Sequence, residues 1–332
     1  MVEYVDVVCD LVYGDCGKGV VASQLAKTGN YNLVARWAGG NNAGHTVYVN
    51  GKKYKTHLVP SGVFFGIQSL VGPGCVLHPE SFQKELNYLT ENGFDSSLVK
   101  VHPSCHIVLP EHIELDKQNL AAKLGTTSKG IAYAYASKAA RTGVLAQSVL
   151  DEKLLWRDKL AGIILCEGAQ GAWLDQDHGY YPYVTSSTTL PYGACSIGFP
   201  PQKIKNIYGC AKAYDTRSGE DPIFPNSLLN DPLLTKLGEL GEEIGVTTGR
   251  RRKVNWLNLD RLITAINLTG STEVIIRKCD ILDQLGVYRL FKMGLMYDFK
   301  TFNQMEMFLR SHVLASCPLV KDIRCTYSPE TL

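Results

Sequence analysis

Residues 5–20, Val5-Asp6-Val7-Val8-Cys9-Asp10-Leu11-Val12-Tyr13-Gly14-Asp15-Cys16-Gly17-Lys18-Gly19-Val20, decide the fold. Residues 5–13 are a short apolar, β-branched run that reads as a buried strand. Gly14, Gly17 and Gly19 break that run, and residues 20–26 have helical character, so the order is strand, glycine-rich turn, helix. Glycines let successive backbone N–H groups converge on an anion, and the helix N-terminus adds partial positive charge at the same place. Lys18 supplies a point charge for phosphate. The spacing is not that of a Walker A loop, because Gly19 stands where that motif carries its magnesium-binding Ser or Thr. Asp15 is left either to hold the metal or to act as a base. Taken alone, a glycine turn after a strand also serves as plain structural punctuation.

Working outward, residues 31–37 read as a second strand that runs into another polar Gly/Asn turn. Residues 70–76, 163–166, 204–208 and 274–276 are further candidate buried strands, and amphipathic helices are expected at 79–92, 132–140 and 260–268. Strands alternating with helices favour an α/β fold with a central, mostly parallel sheet flanked by helices. With no internal repeat, low-complexity tract or long linker, the expectation is a single domain over residues 1–332. Several long active-site loops are expected in the Pro-, Gly-, Ser- and Tyr-rich region 186–230.

The composition is that of an ordinary globular protein, 45% hydrophobic and 20% charged. A net charge of +2 argues against a general nucleic-acid or membrane-surface partner. No run approaches the ~20 apolar residues that span a bilayer. The start carries early acids, Glu3 and Asp6, and no basic-then-apolar pattern, so no secretory signal is read. The ten cysteines are scattered from Cys9 to Cys325 without a C-x-x-C pair, which argues against structural zinc and for a reduced, cytoplasmic protein.

The second turn reads Gly39-Gly40-Asn41-Asn42-Ala43-Gly44-His45-Thr46. Small residues there allow close ligand approach, and His45 is an acid, a base or a hydrogen-bond donor, or else caps a backbone carbonyl. Together, G-D-x-G-K-G and G-G-x-N-A-G-H-T resemble the adenylosuccinate synthetase family. The resemblance continues in family order. It takes in Gly125-Thr126-Thr127-Ser128-Lys129-Gly130 with Arg141, and Glu167-Gly168-Ala169-Gln170-Gly171 with Leu174-Asp175. Asp177-His178-Gly179 and the run from Tyr181 to Ser187 follow, then Val246-Thr247-Thr248-Gly249-Arg250-Arg251-Arg252, then Lys278-Cys279-Asp280.

The resemblance implies a P-loop-NTPase-like adenylosuccinate synthetase fold and a GTP-dependent ligase that joins L-aspartate to the 6-position of a purine 5′-monophosphate through a 6-phosphoryl intermediate. It makes Asp15 the base that draws the purine N1 proton, and a Mg²⁺ ligand together with the Gly44 carbonyl. His45 donates to the phosphoryl oxygen, Lys18 supports the phosphates, and Gln170 bonds the purine edge. Asn42, Thr127, Leu174, Thr185, Ser218 and Arg250 are implied around the nucleotide. Arg141 reaches the phosphate of a neighbouring subunit's substrate, which implies a homodimer. Thr248, Arg250 and Arg252 suit a dicarboxylate amino acid, since arginines clamp carboxylates bidentately. Outside this setting an R-R-R-K run is a solvated basic surface. Gly14, Gly17, Lys18, Gly19, Gly44, His45 and Thr46 are implied at the GTP phosphates, with Lys278 and Asp280 at the guanine. Asp280, an acceptor when ionised, pairs the N1–H and 2-amino donors of guanine that adenine lacks.

The chain leaves the family pattern at several places. Cys16 stands for the usual acid, as a reactive thiol beside Lys18 or as a packed small side chain. Residues 188–193, Thr-Thr-Leu-Pro-Tyr-Gly, replace a polar N-T-T-A-G-G. Arg217-Ser218-Gly219-Glu220-Asp221-Pro222 replaces R-V-G-x-G-P near the ribose wall, and Asn255-Trp256-Leu257-Asn258 stands for G-W-L-D. The tail around Thr326-Tyr327-Ser328 is shorter than the family's guanine-contacting segment, which leaves GTP, ATP and dATP open as phosphoryl donor. These departures cluster around sugar and base, not around phosphoryl chemistry. They resemble the viral 2-aminoadenylosuccinate synthetase branch, which uses dGMP, and Ser218 suits the space of a missing 2′-hydroxyl. Asp15 weighs the other way, since that branch's better-known members carry a small residue there. The expectation is dGMP ahead of IMP; a GTP-binding protein without catalysis is the reading from another class.

Overall fold

The computed structural model describes residues 1–42, 44–245 and 249–328. Eight strands form one sheet: β1 (Val2–Asp10), β2 (Leu33–Arg36), β3 (Gln68–Val71), β4 (Val99–Val101), β5 (Gly162–Glu167), β6 (Ile204–Lys212), β7 (Glu273–Arg277) and β8 (Asp322–Cys325). Their order is β8-β7-β6-β1-β5-β2-β3-β4, and every neighbouring pair is parallel. The expected α/β class and mostly parallel sheet are thus present. The antiparallel pairing lies elsewhere, in the hairpin His45–Val49 and Lys52–Thr56 and in a smaller sheet of Tyr214–Arg217, Lys253–Asn258, Tyr288–Lys292 and Leu295–Phe299.

A parallel sheet covered on both faces needs apolar side chains on both, which explains the unbroken apolar runs in its strands. In β1, Val5 and Val7 pack with Leu33, Ala35, Ile164 and Cys166. Val8 points the other way, against Val21, Ala22 and Leu25 of the helix Lys18–Lys27. Val34 and Leu165 share the Val8 face, as alternation requires.

The helices expected at 79–92, 132–140 and 260–268 are Pro79–Glu91, Ile131–Ala140 and Leu259–Thr269. The last is capped by Asn258, whose side chain accepts the Arg261 N–H at 3.0 Å. Two strand expectations need correction. The first strand ends at Asp10, not at residue 13, because the Asp10 carboxylate draws the N–H groups of Val12 and Gly14 out of the ladder direction. The segment 70–76 is not one strand: β3 stops at Val71, and Val76–Leu77 pairs with His106–Ile107 instead. Gly72 turns the chain and gives its N–H to the Arg36 carbonyl at 2.8 Å, an approach a Cβ at 2.5 Å from that oxygen would forbid. Region 186–230 holds loops, as expected, but also β6 and Tyr214–Arg217.

Five neighbouring strands end on charged residues that are all buried: Arg277, Lys212, Asp10, Glu167 and Arg36, in the order β7, β6, β1, β5, β2. The edge where ligands bind in open parallel sheets is therefore a row of interior charges.

Asp215 lies beside this edge, on Tyr214–Arg217, with Oδ2 accepting the Asn258 N–H at 3.0 Å and Oδ1 buried without a partner. Burial pushes its pKa up to about 7, against the Asn258 N–H, Arg261 and Lys212. The folded chain therefore holds this proton while the unfolded chain releases it near 3.8, and the stability so conferred is lost as pH rises from about 4 through about 7. Asp215→Asn should remove that loss: in urea unfolding, the difference from the unmodified protein grows in the variant's favour over this window, towards roughly 4 kcal/mol, then levels off. A pH-independent difference would contradict it.

Candidate active site

The loop after β1 is built on Asp10. Its Oδ1 accepts the N–H groups of Val12 at 3.0 Å and Gly14 at 3.1 Å, and its Oδ2 accepts Cys16 N–H and Lys18 Nζ, each at 3.1 Å. One buried carboxylate thus dictates the path of residues 11–18. Lys18 is itself buried; burial works against its charge, but Asp10 prevails and its pKa is raised. Gly17 caps the helix at φ 83°, and a side chain there would meet Arg277. Gly19 lets the hairpin lie against the helix, since a Cβ would sit 2.8 Å from the Thr46 carbonyl oxygen. Cys16 takes the packed reading: it is buried, donates to the Gly14 carbonyl at 3.3 Å, and burial with Asp10 drives its thiol pKa well above the usual value.

His45 opens the hairpin and is buried, with Nδ1 3.6 Å from Glu167 Oε2. Glu167 Oε1 accepts both the N–H, at 2.8 Å, and the hydroxyl of Ser61. Burial first, then the Arg36 charge, lowers the His45 pKa to about 4 against the pull of Glu167, so the ring is neutral at pH 7. Arg36 is fully buried and spends Nη1 on the His57 carbonyl at 3.1 Å, while its Nε and Nη2 have no partner. Gln170 Oε1, Glu167 Oε2 and His45 Nδ1 are likewise buried without a hydrogen bond. Unmet buried polar groups cost about 1–3 kcal/mol each, so four such residues in one place mark a site shaped for something other than stability.

Of these, His45 and Gln170 line a cavity of about 510 Å³, together with residues that include Gly14, Asp15, Lys18, Asn42, Gly44, Thr127, Leu174, Thr185 and Ser218. Most of the residues expected at a nucleotide site therefore share one space. Its outer wall is organised by Asp116, which is buried and accepts Thr126 Oγ1 at 2.7 Å and Gly130 N–H at 2.9 Å. Asp175 similarly ties residues 171–189 by accepting Thr189 N–H at 2.7 Å, and the Tyr181–Pro182 peptide in that segment is cis. Arg217 is held by Asp221 at 3.2 Å and the Tyr183 carbonyl at 3.0 Å, and Ser218 follows it on the cavity wall.

Other expected residues stand outside the cavity lining. Gly17, Gly19 and Thr46 support the loop from behind. Arg252 reaches Asp15 at 2.9 Å and Glu243 at 2.7 Å. Arg250 donates to the Gly125 carbonyl at 3.3 Å. Lys278, at φ 60°, precedes the short helix Cys279–Leu285 that carries Asp280 in its first turn. Its ammonium is bound to Glu243 at 3.0 Å and to the Gly241 carbonyl. Arg141, with φ 64°, is exposed at the end of Ile131–Ala140. Thr248 lies outside the described residues.

Glu243 joins several of these: Lys212 at 2.8 Å, Arg252, Lys278 and the Tyr214 hydroxyl at 2.7 Å converge on its buried carboxylate. Burial opposes its charge, and the three cations overcome this to hold it well below the usual carboxylate range. Asp10, Arg36, Asp116, Glu243 and Lys212 had no place in the sequence-based expectation, and Glu167 appeared there only within a motif. For Asp10, Arg36, Glu167 and Lys212 the available signal was a charged residue closing an apolar run. Asp10→Asn leaves Lys18 without its counter-ion, which should lower stability by about 3–5 kcal/mol in urea unfolding and abolish nucleoside-triphosphate binding by calorimetry. An unchanged midpoint with unchanged binding would show that Asp10 does not hold the loop.

Comparison with known proteins bears on this site directly. The family model described as adenylosuccinate synthetase matches residues 7–163 and 155–320. An adenylosuccinate synthetase of Geobacillus kaustophilus is 34% identical over 342 residues, covering 86% of this chain and 79% of that protein. One from Methanococcoides burtonii is 36% identical over 337 residues, covering 84% and 79%. The fully ligated adenylosuccinate synthetase of Plasmodium falciparum superposes with a TM-score of 0.83 at 25% identity over 98% of both chains. The succinoaminodeoxyadenylate synthetase of cyanophage S-2L, bound to dGMP and to dATP as an energy donor, superposes at 0.77 over 99% of this chain and 94% of its own. At 20% identity that second likeness speaks to the fold alone. With matching sequence along most of its length and the same fold, the chain belongs to the adenylosuccinate synthetase family, carbon–nitrogen ligases that use GTP to join aspartate to a purine nucleotide.

Proposed function

We propose that this ligase joins L-aspartate to the 6-position of dGMP with GTP as phosphoryl donor, giving a succino-2-aminodeoxyadenylate. What carries this reading is one cavity bordered by Asp15, Lys18, His45 and Gln170 together with Thr127, Thr185 and Ser218. Asp15 takes the N1 proton, and the 6-oxygen so activated attacks the γ-phosphorus as the bond to the β-phosphate oxygen breaks. The aspartate amine then adds at C6 and phosphate leaves with the 6-oxygen. Replacing the 6-oxygen directly is unfavourable because an oxo group is a poor leaving group, and phosphorylation removes that difficulty. Charge on the phosphoryl oxygens needs fixed cations and dipoles, which Lys18 and the Asp10-ordered loop supply. Phosphoryl oxygens against the open nitrogen of His45, with Glu167 behind Nδ1, favour the imidazolium that donates to them.

Asp15 and the Gly44 carbonyl both line the cavity, and this sparse oxygen set fits magnesium, which takes few protein ligands and binds chiefly through phosphates. When bound there it would neutralise phosphate charge. Lys278 and Asp280 stand for the guanine of the triphosphate, Arg250, Arg252 and Thr248 for the carboxylates of L-aspartate, and Asn42 and Leu174 for the monophosphate. Arg141, exposed and outside the cavity, fits an arginine that reaches the substrate of a second copy in a homodimer.

Ser218 supports dGMP: it lines the cavity beside an Arg217 already committed to Asp221, and a serine there suits the space of a missing ribose 2′-hydroxyl. IMP is the second reading, favoured by Asp15, a carboxylate at the position where the better-known dGMP-using members carry a small residue. Phosphate release measured with dGMP or IMP, each with L-aspartate, magnesium and GTP, ATP or dATP, separates them. The expected result is turnover with dGMP and GTP, lowered about 10²–10⁴-fold by Asp15→Asn. Turnover with IMP alone would overturn the choice of nucleotide.

A further inference from the structure

Arg36 is not used by the chemistry above. Arg36 and Glu167 close adjacent strands and are register partners, so the sheet itself sets the guanidinium beside the carboxylate. The guanidinium is 0% exposed, yet only Nη1 is engaged. Arg36 Nη2 and Gln170 Oε1 each lie 3.7 Å from the point a Cβ on Gly39 would occupy. Gly39, at φ 90°, has Ala169 Cβ 2.8 Å from that point, so a charged donor and an amide acceptor, both unsatisfied, border the same small space that a side chain there would crowd. Gln170 sits at φ 53°, so its backbone is held in the left-handed region.

We propose that Arg36 is a positioning residue for Gln170: its buried, unpaired Nη2 donor favours the rotamer in which Oε1 is turned inward towards it, so that only the NH₂ faces the nucleotide. An amide offers a carbonyl and an NH₂, and rotation by half a turn exchanges them. A carbonyl turned outward would repel a 6-oxygen gaining negative charge, whereas the NH₂ stabilises it. A guanidinium cannot accept hydrogen bonds and stays charged, so it admits only one of the two orientations. The Glu167 carboxylate, register neighbour of Arg36 and 3.6 Å from His45 Nδ1, balances the guanidinium's charge.

This inference rests on the ligase reading, and its test separates the two. Arg36→Met, Gln170→Ala and the double variant are compared in steady-state turnover with the nucleotide the unmodified protein uses. If Arg36 acts through Gln170, Arg36→Met lowers kcat about 10²-fold with KM for the nucleotide changed less than about threefold. In the Gln170→Ala background it then costs less than about threefold more. Arg36→Lys, which keeps one donor nitrogen and the charge, recovers part of kcat. Independently of turnover, the side-chain amide ¹⁵N and ¹H signals of Gln170 shift in Arg36→Met and shift less in Arg36→Lys. Additive losses in the double variant, or Gln170 signals that do not move, overturn the proposal. A protein that turns over neither nucleotide overturns the ligase reading, and the Gln170 signals still decide the role of Arg36.

Discussion

The Asp10 carboxylate is the interaction on which the rest depends. A parallel strand that ends in the interior must leave its last N–H groups somewhere, and here Val12, Gly14 and Cys16 all direct theirs into one side chain. Buried, that carboxylate needs a counter-ion, and Lys18 supplies it from the first turn of the following helix. The glycines are then required for close packing as much as for turning, because the hairpin carbonyl at Thr46 and the Arg277 side chain occupy the space their side chains would fill. The loop is set before any anion arrives, which is the condition for electrostatic stabilisation without reorganisation.

The same logic repeats along the sheet edge. Glu167, Arg36 and Lys212 each end a strand in the interior, and each is met by groups from other segments: Ser61 and His45, the His57 carbonyl, and Glu243. Lys212 and Glu243 are satisfied and link the small sheet's strand Tyr214–Arg217 to Lys278 and Arg252. Arg36, Glu167, His45 and Gln170 are not. The Glu243 carboxylate is thus fully engaged, whereas unpaired atoms gather on the side of Arg36, Glu167, His45 and Gln170, the last two of which line the cavity. Buried charges arranged for stability alone would not leave that imbalance, since each unpaired group costs folding free energy.

Much of the fold was legible because its signals are local. The buried strands read as apolar runs, the long helices by period and caps, and the loop at 14–19 by its glycines. Strand ends were not legible, since Asp10 ends β1 through hydrogen bonds to residues that continue the same apolar pattern. The residues that line the cavity were mostly found because motif residues sit where backbone approaches ligand. Asp116 and Glu243 were missed because their work is non-local: each orders a loop distant in sequence, and nothing in the helix Pro110–Asn119 distinguishes Asp116 from an exposed acid. Lys278 and Arg252 were read as ligand contacts, and their shared hold on Glu243 depends on a chain crossing that no short motif encodes.

The central claim is that the 6-oxygen becomes a phosphate ester before nitrogen replaces it. It is tested by supplying the purine nucleotide with ¹⁸O at the 6-position and analysing the released phosphate by mass spectrometry. Transfer of the label to inorganic phosphate, one atom for each succinylated nucleotide formed, is the result expected. Unlabelled phosphate accompanied by product would contradict it, because the oxygen would then have left by another route.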